Sequence, residues 1–240
     1  MPFFYESFSE MRLDKYLAHS TGLSRKEVKR ALHEKSVSVN GNVVKEFGFQ
    51  VNSNDEVIFK EQGIAAPEHR YLMLNKPQGY VCSNDDPTHP TVAGLLTAEI
   101  RPDLLNIAGR LDVDSTGLLL LTTDGQWLHK ITSPNHKQAK RYLVETASAI
   151  DESAIQVFAD GVLLKGEKHL TKPAKLEIIE SHMAYLTLTE GKYHQVKRMF
   201  AAIGNKVTDL HRDTIGHIHL DENLGSGEYR ALTADEVNQL

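Results

Sequence analysis

The stretch G-R-L-D-V-D-S-T-G-L-L-L-L-T-T-D-G, residues 109–125, decides the fold of this chain. Its centre is a run of four leucines at residues 118–121, closed by turn-forming residues. The run is too short for a helix and suits a strand that is buried on both faces. A carboxylate on a loop that a rigid strand anchors is well held for chemistry, so Asp112 is the first catalytic candidate. The alternative is that Asp112 and Asp114 only cap turns.

Length and composition are those of a soluble globular protein. The chain has 240 residues, 40% of them hydrophobic and 25% charged, which is enough for one large domain or two smaller ones. No apolar run approaches the length of a membrane span, and the N-terminus lacks the basic region of a signal peptide, so we expect no membrane partner. The single cysteine, Cys82, excludes an internal disulfide and a cysteine-rich zinc site, and it fits a reducing cytoplasm.

The net charge of −5 argues against a nucleic-acid partner, but the average hides a local excess of positive charge. Residues 12–35 contain seven lysines or arginines against three acidic residues. Local clustering decides whether a phosphate backbone is attracted, and the total charge does not. The N-terminal region is therefore a candidate for binding an anionic polymer.

Residues 11–60 are predicted to form a small separate domain. Two short helices come first, and the second opens with S-R-K-E, in which Ser24 caps the helix and Glu27 completes a capping box. Alternating strands around an Asn40-Gly41 turn then indicate a β-hairpin. The order helix, helix, hairpin is the expected fold of this region.

The second helix of this domain carries four cations in two adjacent rows on its exposed side. They are Arg25, Lys26, Lys29 and Arg30. Like charges four residues apart repel, so the arrangement favours an anionic partner that covers them. A compact helix–helix–hairpin unit with a basic face resembles the αL-type RNA-binding module, and this resemblance implies RNA binding. The alternative is a solvated basic face.

The remainder of the chain is predicted to form a linker at residues 61–69 and a larger domain at residues 70–240. The linker is small, polar and proline-containing. In the larger domain, many strands and few helices indicate an α+β fold on a mixed, mainly antiparallel sheet with flanking helices. Besides the leucine run, strands are expected at residues 71–74, 140–146, 174–179, 184–189, 206–210, 217–220 and 229–232. Helices are expected at residues 125–132, 151–159 and 194–203, and from residue 233 onward, with the first broken at Ser133-Pro134.

Other chemistries are less well supported by the sequence. The D-x-D pair Asp112 and Asp114 can hold a divalent ion for nucleotide-sugar transfer, which makes a metal-dependent glycosyltransferase one alternative function. However, no third ligand accompanies His217 and His219, so we expect no metal site. The sequence has neither a dinucleotide-binding nor a P-loop motif, so we expect no such cofactor. Cys82 lies in an apolar run, where a buried structural thiol is the expected role.

Four motifs occur in an order that resembles one family of enzymes. They are N-K-P-Q-G-Y-V-C-S (75–83), the stretch at 109–125, K-R-Y-L-V (140–144) and G-K-Y-H-Q-V-K-R-M-F-A-A-I-G (191–204). With the basic N-terminal module, they resemble the pseudouridine synthases, and among these the branch that acts on RNA of the small ribosomal subunit. The resemblance covers the chain from about residue 11.

This resemblance implies that one uridine of 16S ribosomal RNA, free or in the assembling small subunit, is isomerised without a cofactor or metal. The N1–C1′ bond breaks, the uracil turns while it is held, and a C5–C1′ bond forms. Asp112 is then the catalytic aspartate, because a carboxylate near C1′ suits glycosidic bond cleavage. Whether it attacks the sugar, adds to the base or removes the 2′ proton stays open. Tyr142 would stack on the uracil, and Arg110 would fill the place of the flipped nucleotide.

The resemblance also assigns a cationic partner to the aspartate. Lys197 and Arg198 are adjacent and about 100° apart on a helix, so only one of them is expected to face Asp112. Lys197 matches the family position, where relatives with H-Q-I-R carry arginine; lysine keeps the charge but loses the bidentate fork. Arg198 is expected to support the site, and Asp114 is left with a turn-forming or loop-stabilising role.

Two further expectations concern the whole protein. We expect a monomer. A non-catalytic RNA-binding assembly factor of the ribosome is the alternative function from a different class. The constellation of Arg110, Asp112 and Tyr142 speaks against it, because a scaffold has no use for these residues.

Overall fold

The computed structural model describes residues 10–133 and 138–239. These residues form two compact units. The N-terminal unit contains residues 10–70 and Thr97–Leu105, and the larger unit contains Tyr71–Leu96 and residues 106–239. Within this described part of the chain, no helix is both long enough and apolar enough to cross a membrane.

The N-terminal unit combines two helices with short antiparallel strands. Its elements are β1 (Glu10–Arg12), α1 (Leu13–Thr21), α2 (Arg25–His33), β2 (Val37–Val39), β3 (Asn42–Val43), β4 (Gln50–Asn52), β5 (Val57–Phe59) and β6 (Gln62–Ile64). Four strands form a sheet in the order β3-β2-β5-β6, and β1 pairs with β4. The helix–helix–hairpin order predicted from the sequence is confirmed.

Local signals in the sequence explain where these elements begin and turn. The Ser24 side chain accepts a hydrogen bond from the Glu27 backbone N–H, and the Glu27 carboxylate accepts one from the Ser24 backbone N–H, so the predicted capping box is present. Asn40 and Gly41 have φ angles of 49° and 77°, the left-handed conformation that a two-residue hairpin turn requires. Val28 and Leu32 on the apolar side of α2 are buried in the core of the unit.

The structure corrects the linker expected at residues 61–69. Residues 62–64 form β6, which pairs with β5, and the Ile64 carbonyl accepts a hydrogen bond from the Tyr16 hydroxyl at 3.0 Å. Thr97–Leu105, distant in sequence, also belongs to this unit, where Arg101 donates to the Leu23 carbonyl. A strand of three residues is too short to show the alternation of apolar and polar residues that identifies strands in a sequence. This edge strand could therefore not be predicted.

The larger unit is an α+β fold on a nine-stranded sheet. Its strands are β7 (Tyr71–Lys76), β8 (Asn106–Ala108), β9 (Thr116–Thr122), β10 (Lys140–Thr146), β11 (Lys175–Glu180), β12 (Met183–Leu188), β13 (Val207–Ile215), β14 (Ile218–His219) and β15 (Tyr229–Ala231). Its helices are α3 (Gly125–Thr132), α4 (Ser153–Asp160), α5 (Gln195–Ala202) and α6 (Ala234–Asn238). The main path runs β11-β12-β10-β13-β9-β7-β15. Strands β13 and β9 pair in parallel and the other described neighbours pair in antiparallel fashion, which confirms the predicted mixed, mainly antiparallel sheet.

Strand β9 lies inside this sheet and is buried on both faces, as the leucine run predicted. Leu118, Leu119, Leu120 and Leu121 are at most 1% exposed. β7 and β8 pair with β9 in antiparallel fashion, and β13 pairs with it in parallel fashion at its start. A fixed strand therefore follows directly after the loop that carries Asp112.

The bounds of helix α3 were predicted correctly from the sequence, but those of two strands of the same unit were not. Asp124 caps α3 by accepting hydrogen bonds from Gln126 and Trp127 backbone N–H groups, and the predicted bounds of this helix are confirmed. Pro134, expected to break it, lies outside the described residues. Strand β8 was not predicted, and β13 extends five residues beyond the predicted end at Leu210.

Candidate active site

The loop that carries Asp112, residues 109–115, connects β8 to β9 and is held at one end by a buried lysine. Lys76, at the end of β7, is fully buried. Its ammonium donates hydrogen bonds to the carbonyls of Ser115 at 2.8 Å and Pro77 at 3.0 Å. Burial lowers the pKa of Lys76. The lysine thus ties the end of the loop to the neighbouring strand.

A buried arginine holds the other end of the loop. Arg212 in β13 is 1% exposed, and its guanidinium donates to the Leu118 carbonyl at 2.9 Å and to the Gly109 carbonyl at 2.7 Å. The backbone of β13 passes so close to Gly117 that a Cβ at that glycine would lie 2.2 Å from the Arg212 carbonyl oxygen. Gly117 also has a φ of +101°, so this close approach requires glycine for two reasons.

Asp112 faces two side chains at the start of α5. The Lys197 ammonium lies 3.4 Å from Oδ2 of Asp112, and Nε2 of His194 lies 3.4 Å from Oδ1. Lys197 also contacts Oδ1 of Asp114 at 2.5 Å. Both distances to Asp112 are longer than those of a tight charge-assisted hydrogen bond, whereas the distance to Asp114 is short. Lys197, rather than Arg198, is the helix cation that faces the loop.

Asp114 joins its loop to α5 through Lys197, a partner that the sequence analysis did not assign to it. Its hydrogen bond from Lys197 lowers the pKa of this carboxyl group below its ordinary value. The ammonium of Lys197 contacts both carboxylates of the D-x-D pair. It therefore occupies the position between the two aspartates that a divalent ion would take in a D-x-D site. Among the described residues, no group of three or more His, Cys, Asp or Glu side chains is placed to hold a metal ion.

Arg198 points away from Asp112 and holds the segment before α5. Its guanidinium contacts the Glu167 carboxylate at 3.2 Å and donates to the carbonyls of Lys165 at 2.8 Å and Tyr193 at 3.0 Å. Glu167 also binds Lys192. Arg198 therefore makes no contact with Asp112, and its contacts are with the segment before α5 and with residues 165–167.

Tyr142, Asp112, Arg110 and Lys197 line one pocket of about 790 Å³ in the larger unit. This volume lies within the usual range of small-ligand sites. The Tyr142 ring is 9% exposed, and the Arg212 guanidinium carbon lies 5.9 Å from its centroid. Arg110 is exposed, and no side-chain hydrogen bond or ion pair links it to another residue of the described ranges. The structure therefore brings together four of the residues that the sequence analysis selected, and Arg198 is not among them.

Sequence reasoning missed two side chains that line the pocket, Arg212 and His194, and one that holds its loop, Lys76. The only signal for Lys76 in the sequence is that a lysine follows an apolar strand and precedes a proline. No signal in the sequence indicates that Arg212 is buried. His194 has a φ of 47° and stacks on Tyr193 with ring centroids 3.8 Å apart. These roles depend on contacts between residues far apart in sequence, which periodicity does not report.

Cys82 is less buried than the sequence analysis expected. Its thiol is only half-buried, lines the pocket, and accepts a hydrogen bond from the Leu111 backbone N–H at 3.3 Å. Burial raises the pKa of this thiol, which keeps it protonated and unreactive as a nucleophile. Cys82 thus contributes to the wall of the pocket beside the loop that carries Asp112.

The four cations predicted to form the basic face of α2 are all exposed: Arg25, Lys26, Lys29 and Arg30. Arg30 makes only a loose ion pair with Glu34, at 3.9 Å, and Arg25 lies 5.6 Å from the ring centroid of Phe47. Exposed ion pairs at such distances contribute little to stability. The predicted exposure of the basic face is confirmed.

Comparison with known proteins identifies the family. Residues 70–202 match the family described as RNA pseudouridylate synthase, and residues 11–57 match the S4 domain. The first match covers more than half of the chain. The chain belongs to the RNA pseudouridylate synthase family. It is therefore an isomerase with an S4 domain in front of its catalytic domain.

Full-length relatives agree with this family assignment. The protein of Haemophilus influenzae named ribosomal small subunit pseudouridine synthase A is 50% identical to this chain. The match covers 96% of this chain and 99% of the relative. The corresponding proteins of Yersinia pestis and Escherichia coli are 51% and 50% identical over 95% of this chain, covering 97% and 98% of theirs. A crystal structure described as pseudouridylate synthase is 49% identical with a TM-score of 0.69, covering 95% of this chain and 99% of that one.

Proposed function

We propose that this synthase converts one uridine of 16S ribosomal RNA, free or in the assembling small subunit, into pseudouridine. The observation that carries the proposal is the pocket in which Asp112 meets Lys197 and Tyr142. The names of relatives about 50% identical over nearly the whole chain support the choice of substrate.

Asp112 is the catalytic residue in this proposal. Breaking the N1–C1′ bond builds positive character at the sugar, and a carboxylate near C1′ can stabilise it or form a transient bond to it. Lys197 and His194 each lie 3.4 Å from one oxygen of this carboxylate, so the start of α5 faces it on both oxygens. The Lys197 ammonium places a positive charge beside this carboxylate.

Tyr142 and Arg110 act on the target nucleotide. The uridine has to leave its stack to enter the pocket, at a cost of a few kcal/mol. The Tyr142 ring lines the pocket and offers a face on which the uracil can stack while it turns. Arg110 is exposed beside the pocket and free of protein partners in the described ranges, so it can occupy the place that the nucleotide leaves.

The S4 domain supplies affinity rather than chemistry. Arg25, Lys26, Lys29 and Arg30 offer exposed positive charge to the phosphate backbone, and such contacts bind without reading sequence. This binding offsets part of the cost of flipping the uridine. We further propose that the protein acts as a monomer in the cytoplasm, because one chain supplies Asp112, Lys197 and Tyr142.

The experiment that tests this function follows the hydrogen at uracil C5. Small-subunit ribosomal RNA labelled with tritium at C5 is incubated with the protein, both naked and in assembling subunits, with large-subunit RNA as the control. The proposal predicts release of one tritium per small-subunit RNA and none from the control, because C5 loses its hydrogen when the new bond forms. No release from either small-subunit substrate contradicts the proposal and favours a non-catalytic assembly factor.

A further inference from the structure

Two cations meet in the wall of the pocket beside the start of the catalytic loop. Cε of Lys140 and Nη1 of Arg212 both lie 3.8 Å from the position that a Cβ would take at Gly109. Lys140 is the first residue of β10, and its side chain lines the pocket together with that of Arg212. The two positive charges therefore lie next to each other and next to the residues that lead to Asp112.

Neither cation has an acidic partner in the part of the chain that the structure describes. Within residues 10–133 and 138–239, no carboxylate forms an ion pair with Lys140 or Arg212. The Lys140 ammonium donates to the carbonyl of Gln138, at 3.1 Å, two residues away. Burial lowers the pKa of Lys140, and the positive charge of Arg212 lowers it further. Two partly desolvated like charges without an acid destabilise the free protein.

The other two lysines near the loop differ from Lys140 in this respect. Lys76 donates to backbone carbonyls of the loop and to that of Pro77, and Lys197 is neutralised by two carboxylates. Each of them has a role in holding the loop. Among the described residues Lys140 makes no contact of that kind, so its charge contributes to the pocket and not to the fold.

We propose that Lys140, beside Arg212, binds an anionic oxygen of the flipped nucleotide inside the pocket. This rests on the proposed function and adds a residue to it. The oxygen has two possible sources. One is a phosphate of the target nucleotide. The other is O2 or O4 of the uracil, which carry negative charge when the N1–C1′ bonding pair leaves with the base.

The second source is consistent with the electron balance of the reaction. When the N1–C1′ bond breaks, its electron pair stays on the uracil, and the charge is shared by N1, O2 and O4. Lys140 stays protonated and donates a hydrogen bond to one of these oxygens. The pair then forms the C5–C1′ bond, after which the C5 proton leaves to solvent and N1 takes up a proton. A fixed donor aimed at developing charge is worth roughly a hundredfold or more in rate.

The test compares Lys140→Met and Lys140→Arg with the wild-type protein, using tritium release from small-subunit RNA and the melting temperature. Lys140→Met is expected to lower the rate about 10²-fold while the melting temperature stays the same or rises, because the variant removes a repulsive buried charge. Lys140→Arg is expected to recover part of the rate. Lys175→Met, at an exposed lysine in a surface ion pair with Glu177, is the control.

The kinetic pattern distinguishes the two sources of the oxygen. If Lys140 binds the uracil, kcat falls while KM and the salt dependence of RNA binding stay unchanged. If it binds a phosphate, KM rises. The slope of the logarithm of the RNA-binding constant against log salt then decreases in magnitude by roughly 0.7 to 0.9, the contribution of one phosphate contact. Wild-type rates for Lys140→Met overturn the proposal, as does a loss of rate and melting temperature together that Lys140→Arg does not relieve.

A second measurement does not require turnover, so it separates this proposal from the proposed function. Uridine and uridine 5′-monophosphate are titrated into the wild-type protein and into Lys140→Met. Weaker binding of either ligand to the variant, by about tenfold, supports the site even if no tritium is released from any RNA. Equal binding of both ligands to the two proteins, together with unchanged rates, overturns it.

Discussion

The two units of this synthase use positive charge in opposite ways. In the N-terminal unit, the cations of α2 are exposed and make at most loose contacts with other described residues. In the larger unit, Lys76 and Arg212 are almost fully buried, and the hydrogen bonds they donate go to backbone carbonyls. An exposed cation attracts any phosphate and is screened by salt, whereas a buried one fixes a particular piece of backbone.

This difference assigns RNA binding to the N-terminal unit and the chemical step to the pocket of the larger unit. Changes in the exposed cations should alter the affinity for RNA, and changes around the pocket should alter the rate or the stability. Substitutions in each unit test this separation.

The largest effect is expected at Asp112, the proposed catalytic residue. Asp112→Asn keeps the shape of the side chain but removes its charge, so tritium release should fall by at least ~10³-fold while RNA binding changes little. Asp114→Asn, in the same loop, is the matched control and should stay within about tenfold of the wild-type rate. Comparable losses in the two variants would remove Asp112 from its assigned role.

The next largest effect concerns the close approach of β13 to β9. Gly117→Ala should lower the free energy of unfolding by about 3 kcal/mol or more, because the new Cβ would lie 2.2 Å from the Arg212 carbonyl oxygen at a φ of +101°. Gly125→Ala is the control, since no described atom lies within 4 Å of the position that its Cβ would take, and alanine favours the first turn of α3. Chemical denaturation measures both. Equal stability of the two variants would show that the approach is not tight.

Lys197 provides the third test. Lys197→Met removes the positive charge that Asp112 and Asp114 share, and the rate of tritium release should fall by about 10²-fold at pH 7. Lys197→Arg should remain within about tenfold of the wild type, because the charge is kept. A methionine variant with the wild-type rate would show that the aspartate needs no cation.

The basic face of α2 should affect affinity alone. Replacing Lys26, Lys29 and Arg30 by alanine should weaken RNA binding by about tenfold at moderate salt and reduce the slope of log K against log salt by about 2. Filter binding across a salt series measures both quantities. An unchanged slope would mean that α2 does not touch phosphate.

The smallest predicted effect is confined to the N-terminal unit. Burial lowers the pKa of His19 to about 4, so between pH 6.5 and 4 the unfolded chain binds a proton that the folded unit does not. The stability contribution of neutral His19 is complete above pH 6.5 and is lost as the pH falls toward 4, by about 1 kcal/mol at pH 5.5. Hydrogen exchange of α1 and α2 should report this loss, and His19→Gln should reduce it. An identical loss in the variant would assign it to other groups.

The same contrast explains how much could be predicted from the sequence. The capping box at Ser24, the Asn40-Gly41 turn and the leucine run each depend on a few neighbouring residues, and all three were predicted correctly. Strand β6 was missed because a three-residue edge strand buries too little to impose a pattern. The linker expected there was therefore wrong.

The candidate site divides in the same way. Asp112 was selected from its position before the leucine run, and Tyr142 and Lys197 because their motifs resemble those of a known family. The structure places all three around one pocket. The buried contacts of Arg212 with Leu118 and Gly109 join residues about a hundred positions apart, so no local pattern reports them. The short contact between Lys197 and Asp114 was missed for the same reason.

The separation of RNA binding from chemistry is tested most sharply by the single-turnover rate of tritium release at saturating enzyme for the α2 variant lacking Lys26, Lys29 and Arg30. Saturation removes the contribution of affinity, so only the events at the pocket are measured. We expect the wild-type rate constant for this variant. A rate constant reduced tenfold or more at saturation would contradict the separation.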